Sequence, residues 1–419
     1  MKNPTTIYSK TVIVFFCLLI FFMPMARGSV EPWTKAVFQM LTCLSWIMLI
    51  IENQILGRKI QFQSPLNKPL IALSFLVMIS FLTSGHRSAA FEGMTLFLTY
   101  AAVYYAFLNA VRTRQEERII VYMILSTATL ISIIGLLKLI GMNPFDWWNY
   151  DLAFKGSKGS LTGVYINRNH MAGYMEMAIP LVLVLFMTRN RNLEQKIALA
   201  ALSAFFFIVQ GLTLSRGGWI ATAGAMIFLM SILFLKNQFA QKKIIISVVA
   251  VTVICSILVL GSGPVINRFL TLQKNDPMDN IEGRLRVWKG AMLQIKGNLI
   301  FGTGPGTFQH AYPTYQIPGH AELRRYAHND YLQLTSELGI LFVPVILIFF
   351  YQFFRTGIRK LNSQSRQQSG FSLACMTGIV AIMIHSLSDF NLYVPANAFL
   401  GVILVAFVTQ ESINHRKAG

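Results

Sequence analysis

Charge is scarce in this chain. Only 13% of its 419 residues are Asp, Glu, Lys or Arg, and just 17 are acidic, where a soluble protein carries roughly 25% charged residues. That shortage excludes a reading as two or three soluble domains of ordinary size. Cysteine is nearly absent as well. Cys17, Cys43, Cys255 and Cys375 all sit in apolar runs and form no CxxC pair, so no disulfide framework is expected. There is no HExxH, and His310, His320 and His328 are not at metal-ligand spacing, so no metal site is expected either. Internal repeats are also missing, and repeats mark many transporters.

What the chain has is apolar length. Apolar segments lie near residues 11–26, 34–51, 69–84, 93–111, 119–141, 170–188, 197–213, 217–235, 244–261, 332–354, 370–387 and 395–410. Runs of this size suit membrane-crossing helices. The expected fold is therefore all-α, a polytopic membrane protein of about 12 transmembrane helices. Residues 1–419 read as a single integral membrane domain, and 261–331 as one long outward loop with short helices. The first segment reads as a retained helix, because the residues before Arg27 make a poor signal-peptidase site.

The net charge of +19 invites a nucleic-acid reading, but the distribution of the basic residues argues for topology instead. They collect in alternate short loops: Arg58, Lys59 and Lys68, then Arg112, Arg114 and Arg118, then Arg189, Arg191 and Lys196, then Lys236, Lys242 and Lys243, then Arg355, Arg359 and Lys360. The opposite side holds few, among them Arg27, Lys35, Arg87, Arg168 and Arg216. Both termini are thus expected in the cytoplasm, no nucleic acid is expected as a partner, and the long loop is expected to face outward. Lys155–Ser160 and Gly261–Pro264 read as ordinary surface connections.

The long loop is where polar chemistry can assemble. Ile281, Leu285, Trp288, Met292 and Ile295 follow helical spacing, so residues 281–296 should form an amphipathic helix. At about 100° per residue, Arg284 falls about 60° from the stripe centre and Arg286 about 140° away. A helix lying on the membrane with its stripe down would hold Arg284 at the waterline and Arg286 in solvent. Arg284 can then snorkel to headgroups or clamp an anion, since a guanidinium fork matches paired phosphate oxygens. Gly302, Gly304 and Gly306 lack the spacing of a dinucleotide loop and read as a tight turn or a close backbone approach.

Other polar groups stand at helix entrances on the same side. Arg216 lies in Leu214-Ser215-Arg216-Gly217-Gly218, a short turn whose backbone N–H groups could favour an anion. Arg168 has the same relation to the sixth segment, and His385, Ser386 and Asp389 close the eleventh. His328, next to Asn329 and Asp330, precedes the tenth. Such a position usually gives a surface or capping residue. Arginines at several entrances with one histidine suit a lipid-linked phosphate or diphosphate, with the histidine as base toward an attacking hydroxyl. The energy would come from an already activated donor.

At these residues the sequence resembles the O-antigen ligase and O-antigen polymerase superfamily. The resemblance rests on Gly283, Arg284 and Trp288, on Gly302, Gly304, Gly306 and Phe308, and on His328, Asn329, Tyr331, Leu332, Glu337 and Gly339. Ser215-Arg216-Gly217 and His385 to Asp389 also fit, and the strongest part covers about residues 200–345. The resemblance implies a GT-C-like glycosyltransferase of the bacterial inner membrane, without metal or cofactor, working on the periplasmic side. It implies His328 as catalytic base and Arg216 and Arg284 as diphosphate ligands, with Arg168 a further candidate. Asn329, Tyr331, Trp288, Gly302, Gly304, His385 and Asp389 would support the site. The implied donor is a glycan on undecaprenyl diphosphate. The acceptor would be lipid A–core for a ligase, as in lipopolysaccharide biosynthesis, or a second lipid-linked glycan for an O-antigen or exopolysaccharide polymerase. Many relatives carry a second histidine two places before the matching one; Tyr326 stands there in this chain. A transporter of lipid-linked sugars is the rival class, with Lys138, Glu176 and Glu337 as its few ionisable residues in apolar runs.

Overall fold

The computed structural model describes residues 6–143, 159–188, 192–236, 246–247, 250, 281–317, 324–363 and 365–410. Most of the ninth apolar segment, Cys255, His320, residues 155–158, Gly261–Pro264 and the first part of the long loop fall outside these residues.

The described residues form helices and no strand. In chain order these are α1 (Ile7–Met25), α2 (Pro32–Ile55), α3 (Asn67–Thr83), α4 (Arg87–Ala110), α5 (Arg114–Leu139), α6 (Arg168–Thr188), α7 (Leu193–Leu212) and α8 (Arg216–Leu235). They continue with α9 (Ile281–Gly297), α10 (Phe308–Ala311), α11 (Asp330–Leu338), α12 (Phe342–Leu361), α13 (Arg366–His385) and α14 (Pro395–Thr409). Short polar caps start several of them. The side chains of Thr6, Asn192, Ser215, Asn329 and Ser365 each accept a backbone N–H two or three residues on, and Thr113 with Glu116 forms a full capping box on α5.

Among the described residues, eight helices are long and apolar enough to cross a membrane, and α3 and α14 are shorter apolar helices. The protein is thus a helical polytopic membrane protein, and the full count of twelve crossings is not reached by these helices alone. One expected segment is divided. The run 332–354 reads as continuous, but α11 stops at Leu338 and α12 starts at Phe342. Gly339 makes the break, with φ at +81°, and a Cβ there would meet the Ile300 carbonyl oxygen at 2.0 Å. Only glycine fits so close to another backbone.

α6 lies at the centre. Met171, Tyr174, Met175, Ile179, Leu181 and Val184 cover its whole circumference and are all buried, as expected of a helix apolar on every side. It packs against α5, α7, α8 and α13, and α13 also packs against α8, α12 and α14. Exposed Ile71, Phe75, Ile220, Ile227 and Leu347 ring the outside. On a protein in lipid such residues face acyl chains rather than water.

Residues 281–331 fold back over one end of the bundle. α9 rests on α11 and on the 3-10 turn Tyr312–Tyr315. Its buried face is Val287, Ala291 and Gln294. Leu285 and Met292 of the expected apolar stripe are instead 46% and 45% exposed on another face. The stripe is real, but the protein contact uses small residues beside it, which let the helix approach closely.

Candidate active site

The end of α13 and the turn after it organise the polar groups. His385 is the last residue of α13, and a 3-10 turn follows at Asn391–Tyr393. Between them, Ser388, Asp389 and Phe390 each face a different element.

Ser388 receives the arginine helix. Arg284 Nη1 donates to its carbonyl at 2.8 Å, across 104 residues of sequence. Its hydroxyl lies against Gly217, where a Cβ would come within 2.7 Å. Arg216 is therefore beside the same turn, as the first residue of α8, whose cap is the Ser215 hydroxyl accepting from Gly218 N at 3.2 Å.

Asp389 receives His328. The His328 Nδ1 lies 3.4 Å from Asp389 Oδ1, which also accepts the Phe390 N–H at 2.8 Å. Asp389 is fully buried, and its Oδ2 has no hydrogen-bond partner among the described residues. Burial alone would raise its pKa. The facing His328, with the charges of His170 and His385, outweighs burial and holds the carboxyl far below the usual carboxylate range.

Phe390 is the aromatic floor. Tyr326 stacks on it with centroids 3.9 Å apart and planes within 6°, while His328 and His170 meet it edge-on at 4.9 and 4.8 Å. Tyr326, where relatives carry a second histidine, is thus committed to stacking.

His328 sits in the left-handed region at φ +50°, uncommon for any residue other than glycine and sustained where neighbours over-determine the backbone. The neighbours do so. Trp288 Nε1 donates to the Ala327 carbonyl at 3.0 Å, and the Ala327 N–H donates to Gln333 Oε1 at 2.9 Å. Asn329 caps α11 through Leu332 N at 3.0 Å and donates to the Leu387 carbonyl at 3.1 Å. The Tyr331 hydroxyl donates to the Met383 carbonyl at 2.9 Å. The Asp330 N–H donates to the Ser386 carbonyl at 2.9 Å, and Asp330 Oδ2 accepts from the Ser386 hydroxyl at 2.7 Å. Burial pushes Asp330 up to about 8 against that bond.

The glycine loop has a different job from phosphate cradling. Gly302, Gly304 and Gly306 all have positive φ. A Cβ on Gly302 would lie 2.3 Å from the Glu337 carbonyl carbon. Thr303 N and Gly304 N donate to the carbonyls of Ser336 and Glu337 at 3.1 and 2.9 Å. Glu337 accepts Gly306 N at 2.7 Å, Phe308 N at 3.2 Å, the Tyr393 hydroxyl at 2.7 Å and Gln333 Nε2 at 3.3 Å. These loop N–H groups are therefore used within the protein, and the loop locks α11 in place. Burial pushes Glu337 up to about 7 despite those four bonds.

Arg168 opens α6 and is buried, two residues before His170. Sequence reasoning did not find His170 or Phe390. Neither has a local signal, because both matter only through contacts made in the fold. Glu176 was visible as a lone acid in an apolar run; its partner is His385, whose Nδ1 lies 3.1 Å from both carboxylate oxygens.

A cavity of 880 Å³ runs along the other face of α13, between α3, α4, α12 and α14. Lys35, His86, Arg87 and Arg325 lie at one end, and Leu73, Val77, Phe97, Ile346, Phe349, Ile379 and Val405 continue it. His328, Arg216 and Arg284 do not line it. Tyr326, Tyr331, Ser386 and Tyr393 do, and they separate it from the groups just described. Among the described residues, no three His, Cys, Asp or Glu side chains are grouped to hold a metal ion.

Residues 198–350 match the family described as O-Antigen ligase. Over 187 residues the chain is 28% identical to an uncharacterized protein of Haemophilus influenzae, covering 41% of this chain and 45% of that one. The chain thus spans less than half the length of that relative. The family match contains Arg216, Arg284, Trp288 and His328 and stops short of the 385–390 turn that joins them. Over residues 198–350 the chain is thus similar to the O-antigen ligase family, in line with the motifs it carries there.

Proposed function

We propose that the protein transfers a glycan from a polyprenyl diphosphate, undecaprenyl diphosphate by the family resemblance, to a hydroxyl of lipid A–core. The observation that carries this reading is the Ser388–Asp389–Phe390 turn. It draws Arg284 and His328, both from the 281–331 region, onto Ser388 and Asp389 beside the start of α8 that carries Arg216.

The chemistry follows from the atoms. Asp389 faces His328 Nδ1, so that nitrogen keeps its proton and Nε2 is left as the base. Nε2 takes the proton of the acceptor hydroxyl as its oxygen attacks the anomeric carbon. A new C–O bond forms, and the bond from that carbon to the diphosphate oxygen breaks with its electron pair. Arg216 and Arg284, with Arg168 as a further candidate, neutralise the leaving diphosphate. In this reading the arginines supply the positive charge, and no metal or cofactor takes part. A long apolar cavity with a basic end fits an enzyme whose substrates are anionic lipids. The site end faces the periplasm and both termini the cytoplasm, in line with the distribution of basic residues.

The test is reconstitution with an undecaprenyl-diphosphate-linked glycan, with and without lipid A–core. One shifted band that needs the core is the expected result. A ladder formed without core would make the protein a polymerase of lipid-linked units. No product in either reaction would remove the glycosyltransferase reading and favour transport.

A further inference from the structure

We propose that His385, oriented by Glu176, is a phosphate-contacting residue that completes an anion site at the start of α8. The inference rests on the polyprenyl-diphosphate reading above and adds to it a pair of residues outside the family match.

Three observations converge. First, His385 and Glu176 are each only 1% exposed, and the carboxylate takes Nδ1 with both oxygens at 3.1 Å. A carboxylate on one ring nitrogen fixes that nitrogen as the donor and sets the ring orientation. Second, the other nitrogen, Nε2, is buried and has no hydrogen-bond partner among the described residues. Buried polar atoms are normally satisfied, and an orphaned one calls for an explanation. Third, Nε2 is aimed at the first turn of α8. A Cβ on Gly217 would lie 3.0 Å from Nε2 and 2.7 Å from the Ser388 hydroxyl.

Those separations are too short for a real Cβ, so His385 and Ser388 close directly on the helix start, and only glycine admits them there. The N-terminus of a twenty-residue helix already favours an anion through the helix dipole. Arg216 is next to this turn, and Arg284 reaches the carbonyl of the same Ser388. A phosphate oxygen drawn to this helix start would meet the Ser388 hydroxyl and, once Nε2 is protonated, an imidazolium held between two anions. A purely structural Glu–His pair would explain the first observation. It would not explain the unused Nε2.

The experiment uses the full-length protein in detergent and undecaprenyl diphosphate without a glycan, with affinity measured by calorimetry. His385→Gln places an amide nitrogen near Nε2 and is expected to bind within about threefold of wild type. His385→Asn keeps a donor toward Glu176 but loses Nε2, and is expected to weaken binding about 10- to 100-fold, the loss of one charge-assisted hydrogen bond. Gly217→Ala sets a Cβ 3.0 Å from His385 Nε2 and 2.7 Å from the Ser388 hydroxyl, pushes both off the helix start, and should weaken binding similarly. In transfer assays these losses should raise the KM for the donor more than they lower kcat. Wild-type affinity in a monodisperse His385→Asn protein would overturn the inference, as would equal impairment of the Gln and Asn variants. Wild-type protein that does not bind the lipid at all would instead overturn the donor assignment, and this inference with it.

Discussion

At the end of the bundle that holds the start of α1, buried charge is matched. Arg112 reaches both oxygens of fully buried Glu52 at 3.1 and 3.0 Å and donates to the Asn109 carbonyl at 2.6 Å. Thr6 adds a bond to Glu52, Arg114 pairs with Glu117 at 3.0 Å, and Glu116 closes the capping box of α5. The orphaned atoms there are neutral amide ones, Gln410 Oε1 and Gln367 Nε2. At the other end, His170 Nε2, His385 Nε2, Asp330 Oδ1 and Asp389 Oδ2 are buried with no hydrogen-bond partner among the described residues, and His328 is held at positive φ. Both ends bury ionisable groups, so burial alone does not identify a site. The difference is satisfaction: one end uses its charges to close the fold, and the other leaves buried donors and acceptors without a partner among the described residues.

The sharpest way to break this comparison is to remove one group from each end. His328→Ala should leave the protein inserted and folded while transfer falls by about 10²- to 10⁴-fold, the usual contribution of a general base. Product formation per folded molecule checks this, and substantial residual turnover would remove the base assignment. Arg112→Ala should do the reverse. It leaves Glu52 charged and buried without a partner, which costs about 3–5 kcal/mol. Thermal unfolding in detergent should show the loss, with turnover of the surviving folded protein unchanged.

A smaller contrast lies within α9. Arg284 is half-buried and donates to Ser388, whereas Arg286 is exposed on another face. Arg284→Ala should lower kcat/KM by about 10- to 100-fold, through one lost charge-assisted bond to the diphosphate. Arg286→Ala should stay within about twofold. Equal effects of the two substitutions would mean that α9 contributes only general positive charge.

This division between the two ends was partly readable before any coordinates. Long apolar runs and alternating basic loops are local signals, so helix positions and the polar character of 281–331 followed from composition. Arg216 stood out as a charge at an apolar boundary and Arg284 by its place on the helical wheel, whereas His328 read as catalytic chiefly through the family resemblance. The joining turn was less visible. His385 and Asp389 were noticed as a polar group, but nothing local says that Ser388 meets an arginine 104 residues away or that His385 meets Glu176 at a separation of 209. The break at Gly339 was hidden for another reason. Hydropathy averages side chains and does not register a left-handed backbone. His170, a ring against Phe390, carries meaning only after packing. The contacts between helices distant in sequence are what the unaided chain conceals.

A last test of the comparison runs through pH. Asp330 is fully buried, with Oδ2 bonded to Ser386 and Leu392 N and Oδ1 unpartnered. Burial raises it to about 8, opposed by those two bonds and assisted by the nearby charge of Asp389. In an unfolded chain the same group titrates near about 4. The folded protein therefore binds this proton more tightly. Its contribution to stability is fully present below pH ~4 and is lost as pH rises toward about 8. Across that window the wild-type stability should fall by up to about 1.4 kcal/mol per pH unit from this group alone. Asp330→Asn keeps an acceptor for Ser386 and has nothing to titrate, so its stability curve should be flatter and should overtake the wild type toward pH 8. Glu52→Gln should show no such gain, because Glu52 has a guanidinium across both oxygens and needs its charge. Unfolding midpoints of the two variants between pH 5 and 8 decide the matter. A parallel pair of curves for wild type and Asp330→Asn would mean that Asp330 is ionised in the folded protein, and that the site end is satisfied by a partner after all.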